Sequence, residues 1–261
     1  MEQISKNSDA FKLMKNYIKT NQYKDITVTD DLEVLKIASK FNLNIDLLFY
    51  VENEYHEETK DLLNSLNKLS NKTYVISESL YNQIKLKENH VGIIAAIKIP
   101  EYNFDDFKDK SFIVVLDKLE IPGNIGTIYR TLDSINCDGV FLVDPISKIY
   151  NEKITSSSRG SNLTIPSISD SYENIMNYLI DNDYDIYLGE PTLGKSYQEY
   201  DYNGKIAIVV GNERFGINPD WYNHKHKKVF IPMEGNHNSL NVSIAASIIC
   251  YEAYMKRKSF K

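Results

Sequence analysis

The chain has 261 residues, of which 42% are hydrophobic and 25% charged, and its formal net charge is −6. This composition is typical of a globular protein with one large or two modest domains. No apolar run approaches the roughly 20 residues that cross a bilayer, and the N-terminus lacks the apolar part of a secretory signal. Two cysteines, Cys137 and Cys250, are too few for a disulfide framework and are expected as buried thiols. We therefore expect a cytoplasmic protein that is not bound to a membrane.

The first hundred residues alternate helical and strand patterns, which predicts a small α/β domain. The predicted helices run from a cap at Asn7 or Ser8 to about Thr20, from Asp30 to about Phe41, from Glu57 to Leu69 and from Glu78 to Lys87. The predicted strands are Ile45 to Val51, Thr73 to Ile76 and Val91 to Ile97. A mostly polar stretch at 99–110 follows and predicts a linker. We place the boundary within it, which gives domains at 1–105 and 106–261.

The second half alternates apolar strands with helices, the pattern of a parallel sheet covered on both faces. The predicted strands are Phe112 to Leu116, Gly139 to Val143, Asp185 to Leu188, Lys205 to Val210 and Lys228 to Ile231. The predicted helices are Asn124 to about Asn136, Asn151 to Ser158, Tyr172 to about Asn182, and Leu240 to about Arg257, with Asn238 or Ser239 as a cap for the last.

Three polar segments at strand ends carry most of the functional information. They are Pro-Gly-Asn-Ile-Gly-Thr-Ile-Tyr-Arg at 122–130, Val-Gly-Asn-Glu-Arg-Phe-Gly at 210–216, and Ser-Leu-Asn-Val-Ser-Ile-Ala at 239–245. Glycine-rich turns at the ends of buried parallel strands are where α/β proteins bind ligands. Three of them in one half of a chain predict a single composite site.

Together, these segments resemble the TrmH family of the SPOUT methyltransferases, over roughly Phe112 to Met255. The resemblance implies transfer of a methyl group from S-adenosylmethionine to a ribose 2′-hydroxyl of RNA. It also implies a C-terminal SPOUT domain with a parallel sheet and a deep trefoil knot, which forms a homodimer. With a small α/β domain in front, similar to an RNA-binding ribosomal protein, the chain looks like the thiostrepton- and nosiheptide-resistance methyltransferases. Those enzymes modify large-subunit rRNA, which makes rRNA the expected substrate.

The resemblance also assigns site residues. The catalytic positions that it implies are Arg130, Asn124, Glu213, Ser239 and Asn241. The positions expected to bind the cofactor, largely through main-chain groups, are Gly211, Ile231 and Leu240. Arg159, in a Ser-Arg-Gly stretch like that of the resistance enzymes, is expected to bind RNA. No metal is expected, since His224 and His226 have no third ligand at convincing spacing.

The residue types leave several readings open. Asn124 could be a helix cap and Glu213 a solvated acid, each with no further role. A guanidinium stays protonated to about pH 12, so Arg130 is better suited to stabilise a developing alkoxide, or to hold a phosphate, than to remove a proton. Proton removal by Arg130, as proposed for the family, would require strong desolvation.

Other functions are also compatible with parts of the sequence. The acidic net charge disfavours nucleic acid, although basic residues cluster at 225–228 and at 256–258, where they could equally be solvated. A non-catalytic RNA-binding or ribosome-assembly protein would keep the same fold, and tRNA methyltransferases share the motifs. Gly123 and Gly126, with Asp144 after the next strand, keep a nicotinamide-binding fold open, but its third glycine is missing.

Overall fold

A computed structural model describes residues 2–19, 23, 25–145 and 150–259. The chain divides into two compact units. The first contains Met1–Pro100 and Tyr150–Thr164, and the second contains Glu101–Ile149 and Ile165–Lys261. These units differ from the predicted domains in the placement of residues 101–105 and 150–164. Thr20, the predicted end of the first helix, lies outside the described residues.

Twelve strands and eight α-helices are formed within the described ranges. The strands are β1 (Glu2–Gln3), β2 (Ile26–Thr29), β3 (Ile45–Val51), β4 (Ser70–Ile76), β5 (Ile93–Lys98), β6 (Phe112–Asp117), β7 (Gly139–Val143), β8 (Ser167–Asp170), β9 (Asp185–Gly189), β10 (Lys195–Ser196), β11 (Ile206–Val210) and β12 (Lys227–Phe230). The helices are α1 (Asp9–Lys19), α2 (Leu32–Lys40), α3 (Glu57–Leu69), α4 (Glu78–Tyr81), α5 (Pro122–Ser134), α6 (Glu152–Ser157), α7 (Tyr172–Asp181) and α8 (Val242–Ser259). In this part of the chain, no helix is long and apolar enough to cross a membrane.

The first unit is built on a five-stranded mixed sheet in the order β1-β4-β3-β5-β2. β4 pairs in parallel with β1 and β3, whereas β5 runs antiparallel to β3 and β2. Side chains of β3 alternate between two cores, because successive residues of a strand point to opposite faces. Leu48 packs with residues of α2 and α3 on one face, and Phe49 packs with α1 on the other.

Residues 150–164 are an integral part of this first unit. Leu163 is buried in the same core as α2 and α3. Gly160, at φ +85°, lies flush on α2, where a Cβ atom would come within 3.2 Å of the Ile37 side chain. Lys87 donates hydrogen bonds to Asp31 and to Ser156 of α6, which ties the segment to the unit a second time.

The second unit contains a seven-stranded sheet, all parallel, in the order β10-β12-β9-β11-β6-β7-β8. Its central strands are buried on both sides, as the continuous apolar runs predict. α7 covers one face through Ile175, Met176 and Leu179. α8 packs against β9, β11 and α5. The predicted parallel α/β sheet is thereby confirmed.

Most predicted elements are confirmed, and the differences have physical causes. α2 begins at Leu32 because the carboxylate of Asp31 caps it by accepting from the Glu33 N–H, at 2.9 Å. The helix predicted over 78–87 ends at Tyr81. The carboxylate of Asp30 accepts the N–H groups of Leu86 and Lys87, which holds that segment in a turn.

Hydrophobic periodicity does not predict four of the strands, because they are short or polar. These are β1, β2, β8 and β10. All four lie at sheet edges, where little apolar patterning is needed. The two thiols behave as expected: Cys137 and Cys250 are buried and free. Burial raises the pKa of Cys137 to about 12 and also raises that of Cys250.

Candidate active site

A cavity of about 560 Å³ opens at the carboxyl ends of four adjacent strands, β6, β11, β9 and β12. Its walls come from the segments that follow these strands and from the start of α8. They include Ile121 and Asn124, residues 189–191, residues 210–214 with Gly216 and Ile217, Ile231 and Met233, residues 238–242, and Ala245 and Ile249. This size lies within the range of small-molecule sites, and the carboxyl edge of a parallel sheet is where such sites form.

The helix after β6 begins earlier than predicted, which changes the role of Asn124. Pro122 occupies the first turn and Ile121 is the N-cap, whose side chain makes no capping bond. Proline is well suited to the first helical turn, where its missing N–H costs nothing. The alternative that Asn124 is only a helix cap is therefore wrong, and its buried side chain is available for tertiary contacts.

The loop after β11 is held in one shape by its own backbone and by Asn212. Asn212 and Gly216 exchange two main-chain hydrogen bonds, both 2.9 Å. The Asn212 amide donates to the Lys118 carbonyl at 2.8 Å, and its oxygen accepts from the N–H of Arg214. Gly211 has no space for a side chain, since a Cβ atom would overlap the backbone of Gly216.

A second anchor joins this loop to the end of β6. The carboxylate of Asp117 accepts the Asn218 N–H at 2.7 Å and the Trp221 indole N–H at 3.2 Å. Burial raises the pKa of the Asp117 carboxyl. The strand ends that carry the first and second motifs are thus fixed relative to each other.

Three of the predicted catalytic side chains meet in one hydrogen-bonded chain. Asn124 Nδ2 donates to Glu213 Oε1 at 2.7 Å, and Asn241 Nδ2 donates to Asn124 Oδ1 at 3.1 Å. Asn241 Oδ1 in turn accepts from the main-chain N–H of Ser243, at 2.9 Å. Each of these residues comes from a different motif and follows a different strand, as a composite site requires.

The main-chain N–H of Ser243 fixes the direction in which the hydrogen bonds run from Asn241 to Glu213. A main-chain N–H can only donate, so the Ser243 N–H fixes which end of the Asn241 amide carries oxygen. Asn241 must then donate to Asn124, and the NH₂ group of Asn124 must point at the carboxylate of Glu213. The arrangement orients an acceptor-only carboxylate in the wall of the cavity.

The same contact corrects the predicted cap of the last helix. α8 begins at Val242, and Asn241 caps it by accepting from Ser243, in place of the predicted Asn238 or Ser239. Ser239 lines the cavity together with Leu240, Gly211 and Ile231.

The two predicted arginines lie elsewhere. Arg130 is exposed on α5 and is not among the described residues that line the cavity. Its neighbour Thr131 contacts Ser247 of α8, with the hydroxyl oxygens 2.8 Å apart. Arg159 belongs to the first unit, where it is exposed in a left-handed turn at φ +54°.

Sequence reasoning did not single out Asn212, Ser243 or Glu190 as site residues. Asn212 and Ser243 stand inside the quoted motifs, but their partners cannot be inferred from spacing. Glu190 lines the cavity directly after β9 and accepts a hydrogen bond from the Tyr222 hydroxyl. The sequence signal that could have identified Glu190 as a site residue is its position directly after a predicted strand. The described residues contain no metal-binding cluster, and His226 Nδ1 contacts the His224 carbonyl at 2.7 Å.

Residues 111–251 match the SpoU rRNA Methylase family. The chain belongs to that family. Membership makes it an RNA methylase, and the matched range contains all three motifs and the cavity.

Named relatives are similar along much of the chain. The Bacillus subtilis 23S rRNA (guanosine(2553)-2′-O)-methyltransferase RlmP is 28% identical over 178 residues, which are 68% of this chain and 71% of RlmP. A Staphylococcus saprophyticus protein named for the TrmH family is 34% identical over 216 residues, 76% of this chain and 84% of that protein. The TrmH-type methyltransferase resemblance is confirmed.

Two solved methyltransferase structures share the fold. The AdoMet-bound rRNA methyltransferase from Sinorhizobium meliloti has a TM-score of 0.85 at 19% identity, covering 100% of this chain and 98% of that one. The SpoU methyltransferase AviRb from Streptomyces viridochromogenes, in complex with AdoMet, has a TM-score of 0.83 at 21% identity, covering 97% and 100%.

Proposed function

We propose that this SpoU-family chain transfers a methyl group from S-adenosylmethionine to a ribose 2′-hydroxyl of RNA, with large-subunit rRNA as the substrate. The observation that carries the proposal is the Glu213–Asn124–Asn241 chain in the cavity wall, formed by the motif residues themselves. A fold kept only for binding RNA would not need to align a carboxylate and two amides beside a small-molecule cavity.

The cavity has the features that this cofactor requires. Gly211, Ile231 and Leu240, the positions expected to bind the cofactor, line it, and apolar residues such as Ile249 provide a surface for an adenine ring. The backbone comes close at Gly211, where any side chain would overlap it. The carboxylates of Glu190 and Glu213 suit the positive charges of a sulfonium and an ammonium group. When bound, the cofactor supplies an electrophilic methyl group.

The protein's own contribution is positioning and charge. Methyl transfer needs in-line attack, so holding the ribose oxygen close to the methyl group provides much of the rate. We assign the orientation of the site to Glu213, fixed by Asn124, and to Ser239 and Asn241. Arg130 provides a permanent positive charge, which stabilises a developing alkoxide or holds the adjacent phosphate.

We assign RNA recognition to the first unit, with Arg159 as one contact. Its exposure supports this role, as does the turn that Gly160 fixes against α2. We also infer that the second unit has the deep trefoil knot of SPOUT enzymes. The return of α8 over β9 and β11, after the last strand has entered the sheet beside β9, supports this topology.

The experiment that tests the function uses tritiated S-adenosylmethionine with unmodified transcripts of 23S rRNA and of tRNA. We expect label on the rRNA, at a phosphodiester that then resists alkaline cleavage, because a methylated 2′-oxygen cannot attack its phosphate. Label on tRNA alone would move the substrate class to tRNA. Label at an alkali-sensitive position would exclude ribose methylation. If neither RNA is labelled and the cofactor does not bind, a non-catalytic RNA-binding role is favoured.

We also infer that the second unit pairs with a second copy through α8. At 100° per residue, Ile244, Tyr251 and Met255 share one face of the helix, opposite the buried face of Ala246, Ile249 and Ala253. The three outward side chains are each 47–50% exposed. A helix that is apolar on both faces is typically buried on both sides. SPOUT enzymes dimerise through this domain, which favours a second copy of the chain as the partner that covers the outer face of α8.

The Tyr251→Glu variant is expected to be monomeric, because two copies would bury a charge on the shared face. Light scattering with size exclusion should give twice the 30.1 kDa chain mass for the natural protein and the chain mass for the variant. Ile180→Glu is the matched control, since Ile180 is 45% exposed on α7. A dimer that survives Tyr251→Glu unchanged would contradict this interface.

A further inference from the structure

The tip of the loop after β11 carries the most exposed large apolar side chain of the described residues. Phe215 is 81% exposed, and its neighbour Arg214 is also exposed. A single apolar residue at the surface is ordinary by itself. This ring, however, stands on a loop that is closed by its own hydrogen bonds and lies beside the cavity.

The backbone of the loop fixes where Phe215 stands. The N–H of Phe215 is donated to the Asn212 side-chain oxygen at 3.2 Å, and the Arg214 N–H is donated to the same oxygen at 2.8 Å. The paired main-chain bonds between Asn212 and Gly216 close the turn on the other side. An aromatic ring held in water contributes little to folding, and the ring of Phe215 is available to a binding partner.

The position of Phe215 relates it to the reacting nucleotide. Glu213, Arg214 and Gly216 all line the cavity, so Phe215 stands at its mouth, between two lining residues. Glu213, two residues earlier, is directed inward to Asn124. An RNA strand that brings a ribose to the cavity must pass this mouth.

We infer that Phe215 is a stacking platform for an unpaired base of the RNA, next to the nucleotide that is methylated, with Arg214 contacting a phosphate. The inference rests on the proposed function. Proteins that recognise single-stranded RNA stack its bases on aromatic rings and neutralise its phosphates with arginine. The pair Arg-Phe at 214–215 provides both groups on one turn. Phe215 is thus a positioning residue, with no part in the chemical step.

The first test separates RNA binding from chemistry. In Phe215→Ala, the KM for the transcript that the natural protein methylates should rise roughly 5- to 150-fold, the range for loss of one stacked base. The kcat and the dissociation constant for S-adenosylmethionine should stay within about twofold, and Phe215→Tyr should restore the KM. The control is Ile180→Ala, which removes an exposed apolar side chain of the same unit on α7. An unchanged KM in Phe215→Ala, or an equal rise in the control, would overturn the inference.

A fluorescent variant tests the contact directly. The chain has one tryptophan, Trp221, which is fully buried, so its emission gives a constant background. In Phe215→Trp, the added indole should emit as a solvent-exposed group and be quenched when the transcript binds, because a base stacks on it. Emission that is blue-shifted before RNA is added, and unaffected by it, would show that a second copy covers the ring and would overturn the inference.

The two proposals fail in different ways. If the natural protein methylates RNA and Phe215→Ala does so with the same KM, only the stacking role is wrong. If the natural protein neither binds S-adenosylmethionine nor labels RNA, the proposed function is wrong, and the stacking role is withdrawn with it.

Discussion

The Arg130→Lys variant should lose about 100- to 1,000-fold in kcat, the usual cost of removing one group that stabilises a developing oxyanion. Lysine keeps the positive charge but has no planar fork to hold two oxygens at once. Because a ribose 2′-hydroxyl is a weak nucleophile, a misplaced charge should affect the transition state far more than substrate binding. Single-turnover transfer of tritium to the transcript measures this rate directly.

The exposure of Arg130 makes this variant easy to interpret. Its side chain lies on the surface of α5, so the substitution should leave the unfolding temperature unchanged. S-adenosylmethionine should also bind with the same affinity, since Arg130 is not among the described residues that line the cavity. Ser134→Ala, one turn further along the same helix, is the control and should keep full activity. Near-normal turnover in Arg130→Lys would contradict the assignment.

The second large effect is expected at Gly211. In Gly211→Ala the new methyl group would overlap the backbone of Gly216 and Ile217, which cannot move aside as the end of a flexible side chain can. Forcing extra volume into a packed site typically costs about 1–3 kcal/mol, and the lack of any yielding side chain favours the upper end. We expect the affinity for S-adenosylmethionine to fall at least about tenfold, since the displaced segment is a wall of the cavity.

Gly123→Ala is the matched control for this substitution. Gly123 also belongs to a motif and lies in the first turn of α5, but a Cβ atom there would meet nothing within 4 Å. Alanine favours helix over glycine by about 1 kcal/mol, so the free energy of unfolding should stay level or rise. Urea denaturation and calorimetric titration with S-adenosylmethionine measure both effects. Equal behaviour of the two alanine variants would contradict the proposed close packing at Gly211.

The sequence is sufficient to predict the elements whose signals are local. The strand Ile206–Val210 reads as a buried strand from its five apolar residues, and Glu57–Leu69 reads as an amphipathic helix. What it cannot supply are contacts between distant parts of the chain. Asn124 looks like a cap by spacing alone, because its partner Glu213 stands 89 residues away. Asp30 ends α4 early by accepting N–H groups 56 and 57 residues further on.

In the site, too, local features could be predicted from the sequence and contacts between distant residues could not. The three motifs could be recognised from their glycines, asparagines and strand ends, and they do converge on one cavity. The order of donors and acceptors among Asn241, Asn124 and Glu213 depends on contacts between residues 89 and 117 positions apart, which no spacing rule contains.

The contribution of residues 150–164 to the first unit affects the order in which the chain can fold during synthesis. The ribosome releases the chain from its N-terminus, and domains usually fold as they emerge. Here the core that includes Leu163 stays open until residue 164 has left the ribosome, by which time β6 and β7 are already present. The first unit can therefore complete its fold only after the first strands of the second unit have been synthesised. If residues 1–105 were exchanged between relatives, the core of the first unit would be separated from residues 150–164, which form one of its walls.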